Sequence, residues 1–143
     1  PSDPRVHNAR PHPGQYLVAQ RIRALMGNSP ILNSHADCER VQDAYSFRCA
    51  PQVHGAVLQR YWSMADTLNI ELNSATDNPL IFPEPKNPGP HEVISQGNFH
   101  GEVIALAADS MAAALFELVI TVFAVGELLL FAGITLLWNP TNF

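Results

Sequence analysis

The stretch PQVHGAVLQRYWSMADTLNIEL, residues 51–72, decides the fold. Pro51 suits the first turn of a helix, because the N–H that proline lacks would have no intrahelical partner there. Apolar side chains then recur at steps of three and four, the spacing of one helix face: Val53, Val57, Tyr61, Met64, Leu68 and Leu72. Such a stripe is typical of a helix packed in a core. We therefore predict a long helix from Pro51 to about Leu72.

The rest of the chain predicts further helices and one small hairpin. A helix should begin at Pro13 and end near Gly27, and an Ala- and Leu-rich helix should run from about His100 to Val119. Between them, residues 80–82 and 92–94 can pair as a β-hairpin, with prolines at 83, 85, 88 and 90 around its tip. The Pro-rich residues 1–12 are predicted to be extended. The fold class is mainly α, a bundle of long helices with a β-hairpin insertion.

Composition limits the function classes. The 143 residues suffice for one domain, and they are 47% hydrophobic and only 15% charged, against about a quarter charged in an average domain. Such a low charge content indicates a segment largely covered by other protein. The net charge is −5 and no basic cluster is present, which argues against nucleic acid as a partner. Cys38 and Cys49 do not form a disulfide framework, so a cytoplasmic setting is expected.

Three polar side chains stand three residues apart just before the long helix. Gln42, Tyr45 and Arg48 fall on one face if this segment is helical or turn-like. A guanidinium can clamp a carboxylate with two hydrogen bonds, a phenol can transfer a proton, and an amide can hold a polar group in place. The trio suits a small substrate that carries a carboxylate. Spacing alone leaves a second interpretation open, a polar start to the helix with a solvated arginine.

Several motifs occur in a fixed order along residues 4–118. They are Ala9-Arg10-Pro11-His12-Pro13-Gly14-Gln15, the Gln42–Arg48 segment, Val53-His54-Gly55-Ala56, Glu71-Leu72-Asn73-Ser74-Ala75-Thr76-Asp77-Asn78-Pro79-Leu80 and Gly97-Asn98-Phe99-His100-Gly101-Glu102. This ordered set resembles the middle of the aromatic amino-acid lyases. The Pro51–Gly55 segment and the Asn98-Phe99-His100 triplet look more like the members that act on histidine than those that act on phenylalanine or tyrosine.

The resemblance implies the reaction and the cofactor. The expected activity is the non-oxidative elimination of ammonia from L-histidine, which gives trans-urocanate, in a homotetramer of fumarase-like helical bundles. Members of the family use an electrophilic methylidene-imidazolone that forms from an Ala-Ser-Gly triplet, and no such triplet occurs in residues 1–143. We therefore expect an internal segment of a longer polypeptide, with the electrophile upstream, a family glutamate downstream and no activity in the isolated segment.

The resemblance also assigns roles to residues. Tyr45 and Gln42 are expected to be catalytic, Tyr45 in proton transfer and Gln42 in holding the amine or the electrophile. Arg48 is expected to bind the substrate carboxylate. Asn78 would line the site, Phe99 would pack over the electrophile, and His100 would help to select an imidazole substrate. Two residues near this loop depart from the family pattern, because Gln96 stands where a glycine is usual and Val103 where a proline is frequent. No metal is expected, since His35, Asp37, Cys38, Cys49 and His54 match no standard zinc spacing.

The resemblance fails after Leu118, so we divide the chain into a central lyase segment, 1–118, and a divergent apolar tail, 119–143. In the tail only Glu127 interrupts an apolar run that ends at Trp138. The runs on either side of Glu127 are too short to span a bilayer, so membrane insertion is not expected. The alternatives are a buried helix pair hinged near Gly126 and a tail that is not homologous.

Two other functions stay open. One is a tyrosine or phenylalanine ammonia-lyase or aminomutase, which would use the same electrophile on a different side chain. The other is a membrane-associated helical protein that has lost its catalytic role.

Overall fold

The computed structural model describes residues 1–34, 37, 41–83 and 92–137. In these ranges the chain forms helices joined by short turns and one two-stranded sheet. The elements are α1 Pro4–Ala9, α2 Pro13–Met26, α3 Pro30–Ser34, α4 Tyr45–Arg48, α5 Ala50–Glu71, β1 Leu80–Phe82, β2 Glu92–Ile94 and α6 Glu102–Leu137. The mainly helical fold class with a small hairpin is therefore confirmed.

The long helix predicted from its apolar stripe is present as α5, which has 22 residues. Helix α5 packs against α2 on one side and against α6 on another, so it is the central element of the described structure. Helix α2 also has the predicted bounds, beginning at Pro13 and ending one residue before Gly27. The periodic spacing of apolar residues placed α5, and Pro13 and Gly27 marked the two ends of α2.

The prediction of an extended residue 1–12 segment is wrong, because Pro4–Ala9 forms helix α1. The Asp3 carboxylate accepts a hydrogen bond from the Arg5 N–H at 2.9 Å, which caps the helix, and Pro4 occupies its first turn. The Arg5 guanidinium also contacts this carboxylate, at 2.6 Å. Its hydrogen bond holds the pKa of Asp3 well below its usual value. A capping residue followed by proline is thus a signal for the start of a helix, and the high proline content of this segment led to the wrong prediction.

A buried hydrogen-bond relay ties α1 to α2. The His7 side chain is fully buried, and its Nε2 lies 2.8 Å from the carbonyl oxygen of Pro1. Its Nδ1 lies 3.0 Å from Nε2 of Gln15, which is also buried. A neutral ring protonated at Nε2 donates to the Pro1 carbonyl and accepts from the Gln15 amide, so both nitrogens are satisfied. His7 is therefore a structural residue, which its position in the sequence did not indicate.

Two glycines allow α2 and α5 to touch backbone to backbone. A Cβ added to Gly14 would collide with the Gly55 carbonyl and would come within 2.9 Å of the Gln59 Cγ. A Cβ added to Gly55 would collide with the backbone of Gln15 and would lie 2.7 Å from the Gly14 carbonyl carbon. Glycine is needed at this crossing because no side chain fits between the helices.

Helix α6 is longer than predicted. It runs from Glu102 through Leu137 as one helix, so the predicted end at Val119 is wrong and no hinge lies at Gly126. The window Glu102–Phe123 has a mean hydropathy of 2.0 and is only 6% buried, so by length and composition alone it could cross a membrane. The core helix of a soluble protein can have the same composition. The division of the chain at residue 118 stays a prediction.

The predicted hairpin is confirmed. Strands β1 and β2 pair antiparallel, with Leu80 opposite Ile94, Ile81 opposite Val93 and Phe82 opposite Glu92. Pro83 follows β1 directly, and the rest of the predicted proline-rich tip lies outside the described residues. The hairpin is exposed on most of its surface, so its pairing depends chiefly on the backbone ladder.

Candidate functional site

The segment with the polar trio forms the short helix α4 just before α5. The carbonyl oxygen of Ala44 accepts hydrogen bonds from Phe47 and Arg48, and this turn places Tyr45 first and Arg48 last in the helix. The Tyr45 side chain is 71% exposed, and Gln42 is exposed in the bend before the helix. The helical turn predicted for the trio is thus confirmed from Tyr45 onward, with Gln42 outside it.

The Arg48 side chain is partly buried, and its Nε lacks a hydrogen-bond partner among the described residues. Helix α4 packs against α5 and α6, which leaves the Arg48 side chain half-buried. Its Nε is buried and has no hydrogen-bond partner among the described residues. A buried donor without an acceptor costs about 1–3 kcal/mol, more when the group is charged. The guanidinium is therefore held where a further acceptor would stabilise it.

Asn78 joins the two ends of the hairpin. Its Oδ1 accepts hydrogen bonds from the Ser95 hydroxyl at 3.0 Å and from the Gln96 N–H at 2.8 Å. Since both neighbours donate, the carbonyl oxygen must face them, and Nδ2 has no partner in the described part of the chain. A cavity of about 410 Å³ adjoins this point, with Asp77, Gln96 and Asn98 as its polar lining. Asn78 thus has a clear structural role and one donor still available.

Replacing Asn78 by alanine should loosen the base of the hairpin. Both hydrogen bonds to Oδ1 disappear, and exposed bonds of this kind contribute about 0.5–1.5 kcal/mol each. We expect faster hydrogen exchange at the Gln96 amide in Asn78→Ala. Asn78→Asp keeps an acceptor oxygen and is the matched control, with exchange close to that of the unchanged protein. Equal protection in all three proteins would show that Asn78 does not hold the hairpin.

The Asn98-Phe99-His100 triplet forms a tethered turn ahead of α6. The Asn98 Nδ2 donates to the carbonyl oxygen of Ala75 at 2.5 Å, and the His100 N–H donates to Gly97 at 3.1 Å. The His100 Nδ1 accepts from the Glu102 N–H at 3.3 Å at the start of α6. The Phe99 ring is 60% exposed. The turn therefore holds an aromatic ring outward, and one nitrogen of His100 is already engaged.

The glycines that flank the triplet, Gly97 and Gly101, have open surroundings. A Cβ added at either would have nothing within 4 Å in the described structure. Gln96, which departs from the family pattern, instead contributes its N–H to Asn78. The loop is thus shaped by hydrogen bonds from Asn78 and Asn98 rather than by close packing at glycine.

The predicted site residues form two groups in the structure. The first group lies in α4 and the bend before it and consists of Gln42, Tyr45 and Arg48. The second group lies at the hairpin and in the turn that follows it and consists of Asn78, Phe99 and His100. Helix α6 contacts α4 and begins two residues after His100, which makes α6 the link between the groups. Tyr45 in the first group and Phe99 in the second are exposed in the described structure.

A larger cavity that the sequence did not predict lies between α2, α5 and α6. Its volume is about 730 Å³, and its polar lining includes Arg10, Gln52, Arg60 and Glu117. Gln52 is notable because its Oε1 is buried without a hydrogen-bond donor among the described residues. No group of three or more metal-ligating side chains occurs in the part of the chain that the structure describes; His35 and Cys38 lie outside it.

The mainly helical fold with one small hairpin is consistent with the family suggested by the motifs. The model of the family described as aromatic amino acid lyase matches residues 1–131. The chain belongs to this family.

Known relatives narrow the likeness to one branch of the family. A histidine ammonia-lyase of Koribacter versatilis is 52% identical over 123 residues, and one of Sorangium cellulosum is 53% identical over 118 residues. These matches cover 81% and 82% of this chain but 24% and 23% of the relatives. The crystal structure of histidine ammonia-lyase from Trypanosoma cruzi is 45% identical, with a TM-score of 0.65, over 83% of this chain and 20% of that one. The chain thus spans about a quarter of the length of these relatives.

Proposed function

We propose that this chain forms part of a histidine ammonia-lyase, a carbon–nitrogen lyase that eliminates ammonia from L-histidine and releases trans-urocanate. The observation that carries the proposal is the unpaired, buried Nε of Arg48 on the same short helix, α4, as the exposed phenol of Tyr45. The relatives of about 50% identity that bear this name support the choice of substrate.

Arg48 binds the substrate carboxylate in this proposal. A guanidinium presents parallel N–H donors that match the two oxygens of a carboxylate. Packing of α4 on α5 and α6 restrains the part of the Arg48 side chain nearest the backbone, so little side-chain conformational freedom is lost when a ligand binds. Arg48 thereby orients the amino acid, and orientation supplies a large part of the rate acceleration in reactions of small molecules.

Tyr45 and Gln42 act on the reacting end of the substrate. The Tyr45 side-chain oxygen, in its deprotonated form, takes the proton from the β-carbon of histidine and becomes a neutral phenol. The exposure of this side chain in the chain leaves it free to reach a ligand. Gln42, in the bend before α4, holds the substrate amine through its side-chain amide. Both roles require the substrate to lie across the open side of α4.

The hairpin group forms the apolar and polar wall of the same site. The Phe99 ring covers the reacting atoms and excludes water, which strengthens the electrostatic interactions beneath it. The free Nδ2 of Asn78 donates to a polar group in the site, because Oδ1 is already held by Ser95 and Gln96. The His100 Nε2 faces the imidazole of the substrate, since Nδ1 is engaged at the start of α6.

The methylidene-imidazolone would come from a part of the polypeptide other than residues 1–143, which contain no Ala-Ser-Gly. The described residues fit such a group, because the exposed Phe99 ring and Tyr45 phenol offer an apolar cover and a polar edge. When present, the group supplies an electrophile that makes the amine a better leaving group.

The apolar, little-buried surface of α6 supports a cytoplasmic homotetramer in which other helices cover it.

Products formed from three amino acids test the proposal directly. The full-length polypeptide that contains this chain should convert histidine to urocanate, seen as new ultraviolet absorbance, and should act weakly or not at all on tyrosine and phenylalanine. It should sediment as a soluble tetramer. The isolated residues 1–143 are the control and should form no urocanate, because they lack the triplet. Preferred turnover of tyrosine or phenylalanine would contradict the substrate, and recovery only with membranes would contradict the assembly.

A further inference from the structure

Two buried side-chain atoms lack hydrogen-bond partners among the described residues, and they are complementary. The Arg48 Nε is a donor without an acceptor, and the Gln52 Oε1 is an acceptor without a donor. They lie four residues apart along the chain. Each buried atom without a partner destabilises the protein on its own. One hydrogen bond between them would satisfy both.

The backbone between the two residues brings them onto one face. The Cys49 N–H donates to Tyr45 at 2.8 Å, and the Cys49 carbonyl accepts from Gln52 and Val53 at 3.0 Å each. Backbone hydrogen bonds therefore link α4 to α5 through Cys49, although the Gln52 N–H bonds to Cys49 rather than to Arg48. Side chains four residues apart in such a ladder are neighbours on the helix surface.

The ordinary local role of Gln52 is already taken. A glutamine at the third position of a helix can reach back to the N–H of the capping residue. In α5 the capping residue is Cys49, whose N–H is bonded to Tyr45, and no side-chain cap is formed. The Gln52 Oε1 therefore has no use within its own helix turn, although it is buried.

We propose that Gln52 is the positioning residue for Arg48. In the substrate-bound enzyme its Oε1 accepts the Nε–H of Arg48, and the terminal nitrogens of the guanidinium are thereby turned toward the substrate carboxylate. This inference rests on the proposed role of Arg48 as the carboxylate-binding residue.

The chemistry of an amide suits this role. A carboxylate at position 52 would form an ion pair with Arg48 and would compete with the substrate for its charge. The neutral amide accepts one hydrogen bond and leaves the positive charge available. Gln52 also stands on α5, which is held by α2 and α6, so it offers a rigid point of attachment.

Kinetics of Gln52→Ala in the full-length enzyme test the inference. The KM for histidine should rise about tenfold with a smaller change in kcat, since the loss of one hydrogen bond near 1.4 kcal/mol is a factor of ten. Competitive inhibition by histidinol, in which an alcohol replaces the carboxylate, should be unchanged. Gln59→Ala is the matched control, because Gln59 lies on the same helix and lines the same cavity. It should leave both ligands unaffected.

Two further variants separate positioning from a purely structural role. Gln52→Glu should raise the KM for histidine more than Gln52→Ala, because the new carboxylate pairs with Arg48. In an Arg48→Ala background, Gln52→Ala should have no further effect on histidine. Thermal unfolding of every variant checks that the protein still folds.

The outcomes distinguish this inference from the proposed function. If Arg48→Ala weakens the binding of histidine but Gln52→Ala does not, Gln52 has no positioning role. If Gln52→Ala weakens the binding of histidinol and of histidine equally, or if its effect persists without Arg48, the inference is also overturned. If Arg48→Ala itself leaves histidine binding intact, the proposed role of Arg48 has failed instead.

Discussion

Gly55→Ala should destabilise the full-length protein by about 3 kcal/mol, near the upper end of the usual cost of overpacking a core. The added methyl group would meet the backbone of Gln15 and the carbonyl carbon of Gly14, with the latter at 2.7 Å. Backbone atoms cannot rotate away as a long side chain can, so α2 and α5 must separate. The same movement would disturb the start of α5 and, with it, α4. A fall of several degrees in the thermal unfolding midpoint would record this effect.

Gly101→Ala is the matched control for this substitution, because its added Cβ would have nothing within 4 Å in the described structure. We expect its unfolding midpoint to stay within about one degree of the unchanged protein, as for most substitutions away from packed sites. An unfolding midpoint for Gly55→Ala as high as that of the control would show that the helices do not cross through these glycines.

Arg48→Ala should lower kcat/KM for histidine by about 10²- to 10⁴-fold in the full-length enzyme. The estimate follows from the loss of two charge-assisted hydrogen bonds of about 1.5–3 kcal/mol each, at about 1.4 kcal/mol for each factor of ten. The kcat/KM of Arg48→Lys should lie between those of Arg48→Ala and the unchanged enzyme, because an ammonium keeps the charge but not the paired donors. Steady-state urocanate formation measures all three proteins.

Arg21→Ala is the control for loss of a positive charge, because Arg21 is exposed on α2. It should have kcat/KM near that of the unchanged enzyme. Unchanged kcat/KM in Arg48→Ala, with folding intact, would exclude Arg48 from carboxylate binding and would leave its buried Nε without a functional explanation.

The helices that the sequence predicted are those whose apolar residues recur at helical spacing. Val53 through Leu72 placed α5, and the prolines at 13 and 51 marked the starts of α2 and α5 within a residue. Helix α1 was missed because proline was taken as a sign of extended chain, although Asp3 and Pro4 together start a helix. The length of α6 was missed because an almost uniformly apolar run carries no period that would mark its end.

The sequence selected candidate site residues but could not show their contacts. Resemblance and spacing singled out Arg48 and Tyr45, and the structure places both in α4. Gln52 could not be selected in this way, because only three-dimensional packing reveals that its Oε1 and the Arg48 Nε are buried and unpaired. The hydrogen bonds of Asn78 across the hairpin were hidden for the same reason, since its partners lie 17 and 18 residues away.

The position of the substrate carboxylate tests the central claim most directly. A crystal structure of the full-length enzyme with histidine, or with a carboxylate inhibitor, would show which side chain holds that group. We predict that both carboxylate oxygens lie about 2.7–2.9 Å from nitrogens of the Arg48 guanidinium, the distance of charge-assisted hydrogen bonds. A carboxylate bound to another residue, with Arg48 turned toward a protein acidic group, would contradict the account.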